Sequence, residues 1–174
     1  MKITLFKIHH SLTLLTLKRL LLTASMGCLI ATANAAPMDD AKAAFERGDY
    51  AQAFKIFKSL AAQGDASAQS NLGVMYDNGK GVTQDYKEAV KWYRLAAAQG
   101  NASAQFNLGV MYKEGQGVTQ DYTSAHMWYN LASAASVADG AKNRDLLAKE
   151  MTPWQIEKAQ NMARACQEKN FNER

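Results

Sequence analysis

The chain has 174 residues, 48% of them apolar and 21% charged, with 20 Lys+Arg against 16 Asp+Glu. Four of the basic residues and none of the acidic ones fall in the first 35 positions, so residues 36–174 carry sixteen of each sign and are neutral. Neutrality gives no support to nucleic-acid binding, which needs a concentrated basic face, and 48% apolar content is ordinary for a globular chain.

The N-terminus reads as an export signal. Lys2, Lys7, Lys18 and Arg19 precede an apolar run from Leu20 to Ala33, which is followed by Ala-Asn-Ala-Ala-Pro. This order of positive region, apolar region and small-x-small site predicts cleavage after Ala35. The run is shorter than the roughly 20 apolar residues of a membrane span. A lipid-modified Cys28 would need an aliphatic residue where Ser25 stands. Residues 36–174 are therefore expected in the periplasm or outside the cell, with no stable membrane insertion. They are long enough for one core. They keep a single cysteine, Cys166, so no internal disulfide can form. That thiol either pairs between molecules or sits half-buried as a small apolar residue.

Beyond the signal, the pattern is helical and repeated. Residues 65–100 align with 101–136 without a gap at 23 of 36 positions, a period in the range of stacked-repeat proteins. Ala68, Leu72, Met75 and Tyr76 form one helical stripe, repeated by Ala104, Leu108, Met111 and Tyr112. Tyr86, Ala89, Val90, Tyr93 and Ala97 form a second stripe, answered by Tyr122, Ala125, Tyr129 and Ala132. Each unit is thus two antiparallel helices. Asp85 is placed as an N-cap with Glu88 three residues on. Gly64 and Gly100 close second helices, and Asp65 and Asn101 open the next ones. The Gly-x-Gly between the helices follows a helix and lacks the Lys-Ser/Thr of a phosphate loop, so it reads as a turn. A shorter first pair spans about 38–64. A last pair spans about 139–169, its second helix opened by Thr152, Pro153 and Gln155. The expected fold is all-α: a solenoid of about four stacked antiparallel helix pairs at 38–64, 65–100, 101–137 and 139–169.

Ala68, Leu72, Gly73, Tyr76, Gly79, Gly81, Val82, Asp85, Ala89, Trp92, Tyr93, Ala96 and Ala97 match the pattern A-x-x-x-L-G-x-x-Y-x-x-G-x-G-V-x-x-D-x-x-x-A-x-x-W-Y-x-x-A-A. The second copy departs from it only at Ser133. On these residues the chain resembles the Sel-one-like repeat (SLR) family, a relative of the tetratricopeptide repeats. The resemblance covers 65–136 strongly; 38–64 looks more like an ordinary tetratricopeptide unit, and 139–169 matches weakly. The disulfide that staples each helix pair in cysteine-rich bacterial members has no counterpart here.

No catalytic constellation is legible. Residues 36–174 contain one histidine, His126, with no metal-ligating or triad partner, and neither Ser-x-x-Lys nor Gly-x-Ser-x-Gly occurs. No metal or cofactor is expected. Trp92–Tyr93 and Trp128–Tyr129 recur at helical spacing and read as packing between repeats. The resemblance implies that first-helix residues off the packing stripe line a concave face, where a protein or peptide binds. These are Ser67, Ser70, Asn71, Val74, Asp77 and Asn78, then Ser103, Phe106, Asn107, Val110, Lys113 and Glu114. The two copies differ at Ser70/Phe106, Asp77/Lys113 and Asn78/Glu114. Two readings stand: positions that select a partner, or drift on a solvated face. The competing function, claimed for some relatives, is an envelope hydrolase acting on cell-wall or β-lactam-like substrates.

Overall fold

A computed structural model describes residues 37–135 and 137–172, with side chains as far as Glu168. The expected signal lies outside the described residues. Among those described there are helices and turns but no strand. The first helix, α1, covers 37–46. It is followed by α2 (Tyr50–Ala62), α3 (Ala66–Asn78), α4 (Tyr86–Ala98), α5 (Ala102–Glu114), α6 (Tyr122–Ala134), α7 (Ala138–Ala148) and α8 (Pro153–Asn172).

Local chemistry sets the helix starts. The side chains of Asp49, Asp65, Asn101 and Asp121 each accept from a backbone N–H of the first turn, and Asp85 accepts two, from Lys87 and Glu88. These donors have no intrahelical partner, so each cap contributes about 1 kcal/mol. The capping box expected at Asp85 is not closed. Its own N–H donates to the Tyr76 carbonyl at 2.9 Å, while Glu88 pairs with Lys91. At α8 the box is complete: Thr152 N–H donates to Gln155 Oε1 at 2.8 Å, and Gln155 N–H to Thr152 Oγ1 at 3.3 Å.

Two glycines explain why the paired helices approach so closely. A Cβ on Gly73 would stand 2.6 Å from the ring of Tyr93, and one on Gly109 2.5 Å from that of Tyr129. Each tyrosine therefore lies flat on a bare patch of the facing helix, and both are fully enclosed. Within residues 41–172, α3 packs on α4 and α5 on α6. Each second helix then packs on the first helix of the following pair: α2 on α3, α4 on α5, α6 on α7. Ala89, Val90, Tyr93, Ala96, Ala97, Ala104, Leu108 and Met111 form one core between two pairs, and Ala125, Tyr129, Leu147 and Met151 form the next. Phe54 of α2 meets Tyr76 of α3 edge to face at 5.6 Å. The all-α solenoid of helix pairs is the architecture.

The last two helices depart from the hairpin pattern. α8 packs on α6 rather than along α7. Ala159 and Ala163, fully buried, sit against Met127 and Leu131, with Met162, Trp128 and the half-buried Cys166 around them. Met127 stands where α4 has the exposed Lys91. The outer face of α6 is thus more apolar than that of α4, and α8 removes it from water.

Candidate interaction surface

The first helices α3 and α5 stand side by side, and with α1 they frame a shallow depression of about 400 Å³. Ser67, Ser70, Asn71, Val74, Ser103 and Asn107 line it, joined by Lys42 and Asn101. Helical geometry accounts for the set: Ser67, Ser70, Asn71 and Val74 fall at i, i+3, i+4 and i+7 on one face, and Ser103 and Asn107 repeat two of these positions one unit later. The lining offers hydroxyls and carboxamides around an apolar floor at Val74. Among the described residues that line it, Lys42 is the one charged side chain.

The other six expected residues are placed differently. Phe106 turns onto Tyr129, with ring centroids 5.6 Å apart, and with Val110 covers the core containing Ala125, Leu147 and Met151. Phe106 is therefore a packing residue of the α5–α6 pair and not part of the lining expected for it. Ser70 itself is only 6% exposed, although it borders the depression. Val74, like Val110, packs partly against the next core. Asp77 is half-buried and accepts from the Tyr93 hydroxyl at 3.2 Å. Burial pushes its carboxyl above the ordinary carboxylate value, and that hydrogen bond opposes the rise. The Tyr93 hydroxyl in turn is held far above the phenol range, first by burial and then by Asp77. Asn78 folds back on the Val74 carbonyl at 2.8 Å, and Lys113 pairs with its neighbour Glu114 at 3.2 Å.

Within the depression, the Asn71 amide donates to the Ser67 carbonyl at 2.9 Å and keeps its oxygen for another donor. Asn107 lies beside the Tyr93 hydroxyl, which ties its position to the buried Tyr93–Asp77 pair. Two lining residues were missed in the sequence. Lys42 belongs to the short first pair, whose connection breaks the 36-residue register, so no counterpart marks it. Asn101 is an N-cap, its Oδ1 accepting from Ala104 N–H at 2.9 Å, and that role masked its place at the rim.

His126 is 2% exposed. It stands in α6 beside Arg144 and Asp145 of α7, and burial first, then Arg144, hold its pKa below the ordinary 6.5. Among the described residues, no group of three or more His, Cys, Asp or Glu side chains is placed to hold a metal ion, and no helix is long and apolar enough to cross a membrane.

A family model described as Sel1 repeat matches the chain three times, at residues 43–65, 66–101 and 102–137. Solved structures are similar to it, two of them as follows. One is a protective antigen present in uropathogenic Escherichia coli strains displaying an SLR fold: TM-score 0.73, 34% identity, over 76% of this chain and 29% of that one. The other is a Sel1 repeat protein from Oxalobacter formigenes: TM-score 0.62, 33% identity, over 65% of this chain and 46% of that one. The chain therefore spans less than half the length of either. No curated protein shows significant similarity to it.

Proposed function

Because the chain belongs to the Sel1 repeat family, whose members generally serve as protein-interaction scaffolds, we propose that it is a non-catalytic module that binds a protein or peptide segment through the depression between α1, α3 and α5, on the concave side of the solenoid. One observation carries this reading. Carboxamides recur at the same register in neighbouring repeats, Asn71 and Asn107, and both border one polar depression. Side chains that can both donate and accept, spaced one repeat apart, suit the alternating C=O and N–H groups of an extended backbone. The bound segment is read mainly through its main chain, and Lys42 favours an acidic group at one end.

The N-terminal pattern of Lys2, Lys7, Lys18 and Arg19, then Leu20 to Ala33, supports export to the periplasm or beyond. A hydrolase acting on cell-wall or β-lactam-like substrates through His126 would need that imidazole within reach of substrate, and it is 2% exposed.

Immobilised chain incubated with an envelope extract tests the proposal. Asn71→Ala and Asn107→Ala should each weaken capture of the main bound protein by about 1 kcal/mol, roughly fivefold, with the melting temperature unchanged for Asn71→Ala. Asn78→Ala, outside the depression, should not. Capture that survives the first two substitutions and is lost in the third would place the interface elsewhere.

A further inference from the structure

Position 90 of α4 is Val90, 3% exposed in a purely apolar core, and the equivalent position of α6 is His126, 2% exposed. Burying an imidazole where the preceding repeat buries a methyl pair needs a reason, because an unmet polar nitrogen is costly in a core. Nδ1 of His126 is buried and has no hydrogen-bond partner among the described residues. One turn along α6, Asn130 Oδ1 accepts from Arg144 of α7 at 3.2 Å, and Arg144 is also clamped to Asp145 at 2.7 Å. A fixed guanidinium is thereby held on the α7 side of the imidazole. The charged groups that act on it are Arg144 and Asp145 of α7, the first lowering and the second raising its proton affinity. α8 contributes Ala159, Ala163, Met162 and Cys166. The acidic group nearest from α5, Glu114, acts on Tyr129 instead.

We propose that His126 makes the joint between α6 and α7 acid-labile: proton uptake on its buried imidazole loosens α7 from α6 while the two central repeats stay folded. A second cation beside Arg144, with no acceptor for its Nδ1–H among the described residues, is repelled and poorly solvated on that side. Opening α7 relieves both and uncovers Tyr129, Phe106, Val110 and Leu147, the apolar core at that joint. Asp145, paired with Arg144 at 2.7 Å, favours the new charge, but less than burial and Arg144 oppose it.

The sign follows from linkage. The closed state favours neutral imidazole, so the open state binds the proton more readily below the ordinary value of 6.5. The contribution of His126 to closure is complete above that pH and is lost as the pH falls through it. Asp77, whose carboxyl is raised by burial, moves stability the other way and cannot imitate the effect.

Hydrogen exchange of the full chain at pH 7.5 and 5.5, corrected for intrinsic rates, reads the joint directly. Protection of α7 amides should fall by about tenfold at pH 5.5, the limit set by one pH unit below 6.5 when the closed imidazole stays neutral. The amides of α3 should keep theirs. His126→Val, which restores the residue of the preceding repeat, should hold α7 equally protected at both values. Wild-type protection of α7 that ignores pH, or a loss that persists in His126→Val, overturns the proposal. Should the variant misfold, the wild-type protein still decides: the imidazole resonance of His126 must titrate with a midpoint below 6.5, and a midpoint at or above it refutes the latch.

Discussion

Buried Gln69 and Gln105 show how one residue ties a repeat to its predecessor. Gln69 Nε2 donates to the Ala61 carbonyl at 3.2 Å, and Gln105 Nε2 to that of Ala97 at 3.3 Å, each reaching back to the end of the previous helix. The two differ at the oxygen. Gln69 Oε1 accepts from Gln99, the C-cap of α4, at 2.8 Å. Gln105 Oε1 is buried and has no partner among the described residues, because the C-cap of α6 is Ala135, which has no side-chain amide to offer. Ala135→Gln should therefore supply the missing donor and stabilise the fold by about 0.5–1.5 kcal/mol. Thermal unfolding followed by circular dichroism measures this, and a melting temperature at or below wild type would show that the site cannot accept the longer side chain. The sequence carried the signal for these glutamines, since both copies keep them. Their polarity hid it, because stripe reading counts apolar residues only.

The element with its own logic is α8. Helices α2 to α7 pack in succession, whereas α8 returns to cover α6. The cause is in α6. Thr123 and Met127 replace Lys87 and Lys91 of α4, and together with Leu131 all three are buried, whereas Leu95 of α4 is 45% exposed. α8 answers with Ala159 and Ala163, small enough for close approach and one turn apart. Met127→Lys restores the residue of α4 and places an ammonium under α8. The expected result is a loss of about 1–3 kcal/mol, with trypsin cutting first at Lys158 and Arg164 while α3 to α5 resist. Cleavage no faster than in wild type would mean that the α6–α8 contact is not what holds α8. A comparison of α6 with α4, position by position, could have revealed this face. The expected hairpin of α7 with α8 obscured it.

At the scale of the whole molecule, the 20 Lys+Arg and 16 Asp+Glu of the chain mislead until residues 1–35 are separated from the neutral remainder. If that segment is an export signal, as proposed, protein recovered from the periplasm of an expressing bacterium should begin at Ala36, read by N-terminal sequencing or intact mass. Recovery with Met1 retained would count against export. Where the neutral remainder binds a partner, steering by net charge is absent, and affinity has to come from contacts such as those of Asn71 and Asn107.

What the sequence determined by itself is most of what acts within a turn or recurs at a fixed offset, the Asp85 box and the repeated glutamines excepted. Asp49, Asp65, Asn101 and Asp121 cap their helices because an orphan N–H two or three residues away must find an acceptor, and that need is local. Gly73 and Gly109 repeat at 36 residues because the same tyrosine lies on each, so the paired-helix scaffold was legible from spacing alone. The tertiary structure decided which surfaces meet. It turned Phe106 onto Tyr129, gave Asp77 to the Tyr93 hydroxyl, brought Lys42 to the rim of the depression and laid α8 on α6. These are contacts between helices distant in the chain. Their outcome depends on how much apolar area each alternative removes from water, a sum over several elements that no single stretch of sequence contains.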